Sequence, residues 1–348
     1  MKVDKSVFYN PNRLLSYDAP LNFVVGSRGV GKTYGFIKFV IQRFLRYGEE
    51  FVYLRRYATE LETSVPKFFD FIKENNEFPE TTFAVKKSKK LSTFIINGKT
   101  AGYAIALSTA SVLKSTSFAR VKYIIFDEFI IDKGTYHYIS GTKEPAKLLD
   151  VWETIARLRD IKVFCLGNAV TITNPYWEYF GIKQGYKSEF KVCKRADNGE
   201  PLIVLDYIKN EAYEDAKSKT KFGQIVQGTQ YGDYAVRNQW YLDDSKFISK
   251  RPPNCFCNSI FVIDGKHYGS WCDRDSGDYW VSKDYDPSNP CKFALDNSSH
   301  DLDTALSSAR QNTWFMFLLR YYNIGHLFFE DQTIKNCFVK LFEQINGC

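Results

Sequence analysis

The sequence has no apolar run approaching the ~20 residues of a membrane-spanning helix, and its longest candidates are interrupted by Arg or Lys. Met1-Lys2-Val3-Asp4-Lys5 leads into no apolar segment of a secretory signal, so export is not expected. Eight cysteines lack the paired spacing of a metal site; Cys255 and Cys257 are two apart, with no second pair nearby. They read as reduced thiols of a cytosolic protein. No internal repeat is visible. With 44% hydrophobic and 25% charged residues, the chain also lacks the composition of a disordered one.

What is abundant is aromatic. Phe and Tyr number 29 and 23, so large rings are expected to fill much of the core. The formal charge of +7 is uneven: residues 246–348 carry 11 Lys/Arg against 12 Asp/Glu, which leaves the excess on residues 1–245. A basic front end points to a polyanionic partner.

Three regions follow from the pattern. Residues 1–205 alternate strands and helices, the signature of an α/β domain with a mostly parallel sheet. Strands are expected at Leu21–Val25, Phe51–Leu54, Lys122–Phe126 and Lys162–Leu166, with a helix over Lys32–Tyr47 that Gly48 stops. Asn97-Gly98 marks a hairpin between Thr93–Ile96 and Thr100–Leu107. Residues 206–245 turn polar and helix-prone, including Ala212-Tyr213-Glu214-Asp215-Ala216-Lys217, and read as a small helical linker. Residues 246–348 form a third region. There Ser259–Ile263 and His267–Trp271 flank Asp264-Gly265 as another hairpin, Tyr279–Ser282 adds a strand, and helices are expected over Leu302–Tyr322 and Gln332–Ile345.

Two motifs carry chemistry. Gly26-Ser27-Arg28-Gly29-Val30-Gly31-Lys32-Thr33 fits the spacing of a phosphate-binding loop between a strand and a helix. Glycines let backbone N–H groups turn inward around a phosphate, and the helix N-terminus adds partial positive charge. Lys32 is expected on the β and γ phosphates of ATP, and the Thr33 hydroxyl on Mg2+. Tyr123-Ile124-Ile125-Phe126-Asp127-Glu128 is an apolar strand closed by two carboxylates. Asp127 is expected to hold the magnesium through water, and Glu128 to orient and polarise the attacking water. Glutamate at that point marks the ATPase class with an extra strand between loop and acid, and the strands around 93–107 leave room for it. Asn168 closes the next apolar strand, where an amide can sense the γ-phosphate and couple its loss to movement; a capping or turn residue is the alternative. Arg157 and Arg159 precede that strand, either as an arginine acting on a neighbouring subunit's nucleotide or as a solvated helix face. Arg28 faces a phosphate or a neighbour. Lys114, in a polar loop, is a candidate contact to DNA or to a neighbouring nucleotide.

The phrases around these motifs resemble the genome-packaging ATPases of phi29-like podophages. They are Phe8-Tyr9-Asn10-Pro11, Leu15-Ser16-Tyr17-Asp18, Tyr47-Gly48-Glu49, Arg55-Arg56-Tyr57, Phe126-Asp127-Glu128-Phe129, Asn168-Ala169-Val170, Asn174-Pro175-Tyr176, Lys221-Phe222-Gly223 and Gly228-Thr229. The likeness covers about residues 1–250 and is faint beyond. It implies an N-terminal P-loop domain of the class with a catalytic glutamate and an added strand (ASCE), a helical linker, and a C-terminal α+β RNase H-like domain without nuclease activity. It implies a homomeric ring, a pentamer by resemblance, that docks on the portal of an empty capsid and drives double-stranded DNA inward, in some relatives with a structural RNA. The place of action would be the host-cell cytoplasm, transiently on the procapsid portal and not in the mature virion. The family's trans-acting arginine falls on Ala156 without a gap and on Arg157 with a small one. Lys114 matches a lysine that acts across subunits, Arg56 is carried over as a DNA-binding or trans-acting cation, and Tyr17 would sit near adenine. In the last region Asp264, Asp273, Asp275 and Asp278 read as turn chemistry, not as the clustered carboxylates of a two-metal nuclease. The competing readings are a cellular-type DNA translocase or helicase, and a terminase with an active two-metal nuclease.

Overall fold

The computed structural model describes residues 7–88, 91–113, 116–131, 137–139, 143–182, 190–195, 198–238 and 246–346. The chain divides into two compact units, Met1–Leu242 and Asp243–Cys348. No helix among the described residues is long and apolar enough to cross a membrane.

In the first unit, a short helix α1 (Asn12–Leu15) precedes β1 (Leu21–Val25), α2 (Lys32–Tyr47), β2 (Glu50–Arg55), α3 (Ala58–Ser64) and α4 (Asp70–Glu74). Then come β3 (Phe83–Lys86), β4 (Ser92–Ile96), β5 (Lys99–Ala106), β6 (Val121–Asp127), α5 (Glu144–Ala156), β7 (Lys162–Gly167) and α6 (Pro175–Phe180). β8 (Phe190–Arg195) and β9 (Pro201–Tyr207) complete a nine-stranded sheet in the order β3-β4-β5-β2-β6-β7-β1-β9-β8. From β5 to β9 neighbouring strands pair in parallel; β3, β4 and β8 run antiparallel at the two edges. All positions of β1 and β2 are buried, as parallel strands covered on both faces must be. Alternation sends Leu21, Phe23 and Val25 to the side of α5 and α6, and Val24 to the side of α2. Helix α2 meets the sheet with Phe36, Val40, Ile41 and Phe44, one stripe at helical spacing, and ends at Gly48 (φ 69).

The strand inserted between the phosphate loop and the acidic pair is β7, later in the chain, and not the strands around 93–107. Those pair on the far side of β2, because β4 and β5 close on Asn97 (φ 49) and Gly98 (φ 73) and so extend the sheet as a hairpin. The boundary expected at 205 falls inside β9, which pairs with β1 from Ile203 to Tyr207. Helices α7 (Glu211–Ser218), α8 (Lys221–Val226) and α9 (Gln230–Ala235) follow. Side chains of Asn210, Thr220 and Thr229 cap them in turn.

The second unit is a six-stranded sheet with helices. β10 (Cys255–Ile263), β11 (Lys266–Asp273) and β12 (Tyr279–Ser282) form an antiparallel meander. β13 (Lys292–Ala294) runs parallel to β10, and β14 (Ala305–Leu306) parallel to β13. That is the strand arrangement of an RNase H-like sheet, extended by β15 (Leu327–Phe329) beside β12. α10 (Thr313–Asn323) and α11 (Gln332–Asn346) cover it through Phe315, Leu318, Phe338 and Phe342. The helix expected from Leu302 begins only at Thr313, because the Asn312 side chain accepts from Phe315 N and caps it there.

Candidate nucleotide site

Four adjacent strands, β2, β6, β7 and β1, end on the same side of the sheet, and their ends build the site. β1 runs into the loop Gly26–Gly31, where Gly29 (φ 83) and Gly31 (φ 97) hold backbone that other residues rarely adopt. α2 then opens with Lys32 and Thr33. The Lys32 ammonium is buried, and it donates to the carbonyls of Gly26 and Ser27 at 2.8 and 2.9 Å and to Asn168 Oδ1 at 3.1 Å. Burial pushes its pKa down to about 7, against the pull of Asp127 and Glu128.

Asp127 closes β6. It accepts from Thr33 Oγ1 at 3.0 Å and Tyr53 Oη at 3.0 Å, and Arg55 Nη1 stands 3.4 Å away. Burial raises its pKa while Arg55 opposes the shift. Glu128 takes the left-handed conformation (φ 60), unusual outside glycine, and its carboxylate meets Arg55 Nη2 at 2.6 Å. The same guanidinium binds Glu60 at 2.9 Å. Thr33 and Asp127 together offer hard oxygen donors that fit a magnesium ion.

A cavity of about 1390 Å3 is lined by Lys32, Thr33, Asp127, Glu128 and Asn168, and by Tyr9 and Pro11. Arg28 lines it too. The sequence reading put Tyr17 near adenine, but that ring does not line the cavity; it packs on Phe190 of β8 at 4.9 Å. The chain turns away at Asp18 (φ 54), so the earlier residues of the same segment face the cavity instead.

The other expected cations separate. Arg56, carried over as a DNA-binding or trans-acting residue, is buried and corrects that expectation. Its Nε meets both Glu144 oxygens at 3.1 and 2.9 Å, and its terminal nitrogens donate to the carbonyls of Glu128 at 3.0 Å and Phe129 at 2.7 Å. All its donors face inward. Arg159 is likewise taken: it donates to the carbonyls of Phe118, Ala119, Val121 and Ile155 and ties α5 to the approach to β6. Arg157 is exposed, at φ 51 in the tight turn that ends α5, beside a fully exposed Leu158. Lys114 lies outside the described residues.

Tyr53 and Arg55 were missed as site residues. The available signal was a Tyr and an Arg on one buried strand that ends in two arginines, beside the strand carrying the acidic pair.

The family model for podovirus DNA encapsidation proteins (Gp16) matches residues 3–346. The chain belongs to that family. Within it, the DNA packaging protein of Bacillus phage phi29 is 34% identical over 345 residues, covering 99% of both chains. A solved structure of the bacteriophage phi29 viral genome packaging motor assembly superposes with a TM-score of 0.77 at 33% identity, covering 97% of this chain and 99% of the other. The crystal structure of the N-terminal domain of the phi29 DNA packaging ATPase gives 0.51 at 38% identity, over 59% of this chain and 97% of that one.

Proposed function

We propose that this encapsidation protein is the ATP-hydrolysing subunit of a viral DNA-packaging motor, a homomeric ring at the procapsid portal that translocates double-stranded DNA. The observation that carries the reading is the convergence of Lys32, Thr33, Asp127, Glu128 and Asn168 on one cavity, with Lys32 bonded to Asn168 and Thr33 to Asp127. Full-length likeness to a phage DNA packaging protein supports the same partner.

Each side chain has a task. Loop N–H groups and Lys32 hold phosphate oxygens; an arriving phosphate would take over donors now spent on Gly26, Ser27 and Asn168. Thr33 and Asp127 would hold magnesium, whose charge offsets that developing on the phosphoryl oxygens. Glu128 orients a water and accepts its proton, which requires its carboxylate to leave Arg55. Arg157 reaches outward to a neighbour's nucleotide, since Arg56 and Arg159 are committed to their own chain.

For the second unit we infer a binding role, because its loop carboxylates are engaged by donors of their own surroundings. Among the described residues no group of three or more His, Cys, Asp and Glu side chains is placed to hold a metal ion. Asp273 accepts from Asp275 N and Ser276 Oγ, and Asp278 meets His326 at 2.6 Å.

The test is ATP turnover against protein concentration, with and without duplex DNA. Concentration-dependent, DNA-stimulated turnover is expected; turnover indifferent to both would leave an ATPase and remove the motor. DNA contacts made to phosphates should weaken with salt at a slope of about −0.9 per contact.

A further inference from the structure

Helix α7 lies on the phosphate loop. The Lys217 ammonium donates to the Arg28 carbonyl, within the loop, at 2.8 Å. The Tyr213 hydroxyl donates to the same carbonyl at 3.2 Å. A further bond from Lys217, 2.7 Å long, ends on the carbonyl of Ala235, the last residue of α9. One side chain therefore spans the phosphate loop and the close of a helix far along the chain. The packing is tight: a Cβ on Gly29 would stand 2.7 Å from the Tyr213 oxygen. On the other flank, the Phe8 side chain would stand 3.2 Å from a Cβ on Gly31, and its ring lies 6.0 Å from that of Tyr213.

Lys217 is half-buried and makes no salt bridge among the described residues. Burial lowers its pKa, and the like-signed charge of Arg28 lowers it further. Withdrawing an ammonium from water beside another cation costs free energy unless an anion compensates. The nearest place built to receive anions is the loop that Lys217 touches. Phosphate charge there would favour the ammonium and strengthen its bonds to both carbonyls.

We propose that Lys217 is a positioning residue of the nucleotide site: with Tyr213 it latches the loop carbonyl of Arg28 to the end of α9, so that phosphate charge in the loop tightens α9 and loss of that charge loosens it. The proposal rests on the nucleotide reading above. It gives the segment 206–238 a defined task, carrying the state of the phosphate loop to the stretch of chain that leads into the second unit.

The reporter is backbone amide exchange at Val236 and Arg237, whose N–H groups bond to Gly232 and Asp233 carbonyls at the end of α9. Exchange would be followed by mass spectrometry on the full chain with a non-hydrolysable ATP analogue and magnesium, with ADP, and with neither. Affinity for the analogue would be titrated in the same samples. In the unaltered protein the analogue should slow this exchange by about tenfold or more, the scale of a charge-assisted hydrogen bond, and ADP should slow it less. Lys217→Met should abolish most of that slowing while the analogue still binds, Lys217→Arg should restore it, and Tyr213→Phe should remove a smaller share. Full slowing in Lys217→Met, or none in an unaltered protein that binds the analogue, overturns the latch. An unaltered protein that binds no analogue overturns the nucleotide site itself, and the latch with it.

Discussion

Carboxylates in the two units have opposite fates. In the first, Asp127 is buried between Thr33, Tyr53 and Arg55, and Glu128 is held in a strained backbone conformation with Arg55 against its carboxylate. In the second, Asp273 and Asp296 turn back on the backbone and hydroxyls of their own loops: Asp296 accepts from Ser298 Oγ, Ser299 N and Asp264 N. Where strand ends meet, a carboxylate can be brought against cations, as Asp127 and Glu128 both are by Arg55, and in the case of Asp127 withdrawn from water as well. Where it can satisfy itself locally, it is structural.

The largest expected effect would break the parallel reading of two arginines on one turn. Arg157→Ala should lower turnover by about 10³–10⁵ in the assembled ring, leave the melting temperature unchanged, and recover on mixing with Glu128→Gln subunits. Arg159→Ala should do the reverse, lowering the melting temperature because four carbonyls lose their donors. Equal behaviour of the two would erase the distinction between a free and a committed guanidinium.

Next comes the division of labour within the first unit. Glu128→Gln should lower turnover by about 10²–10⁴ with nucleotide binding kept, whereas Lys32→Ala should lose binding as well. Isothermal titration beside steady-state turnover separates them, and matching losses in both variants would sink the assignment. Arg56→Ala leaves Glu144 buried without its partner and should cost about 3–5 kcal/mol in denaturant unfolding.

The smallest effects belong to the second unit. Asp273→Asn should lower the melting temperature slightly and leave ATP turnover unchanged. Asp296, whose pKa its hydrogen bonds lower to about 2, should contribute stability above the ordinary carboxylate range and lose it as the pH falls through about 2. The contribution is on the order of 1 kcal/mol after solvent screening, readable as the acid limb of a melting-temperature profile that Asp296→Asn flattens.

Much of this was legible in the residues alone. Leu21–Val25, Lys32–Tyr47 and Tyr279–Ser282 form the elements expected of them, because continuous apolar runs and helical stripes are local properties. The loop and the acidic pair were legible for a similar reason: glycine freedom, a lysine and an apolar strand ending in carboxylates act over a few residues. The start of α10 was misplaced because Asn312, a cap in the structure, sits inside a longer apolar pattern.

Tertiary structure decided the rest. Which strand stands between loop and acid depends on sheet order, and β7 enters there only because chain crossovers place it so. Neighbouring Arg55 and Arg56 alternate across a strand, so one faces Asp127 and Glu128 while the other faces Glu144. Arg157 and Arg159 are two apart on a turn whose strained first residue sends one outward and the other in. Composition cannot separate such pairs, since the residue type is the same and only its surroundings differ. The sequence by itself determined a glycine-rich loop with Lys32 and Thr33 between a strand and a helix, and an apolar strand closed by Asp127 and Glu128. The fold decided which of its cations are free to act, because that depends on what each guanidinium or ammonium finds within 3 Å of it.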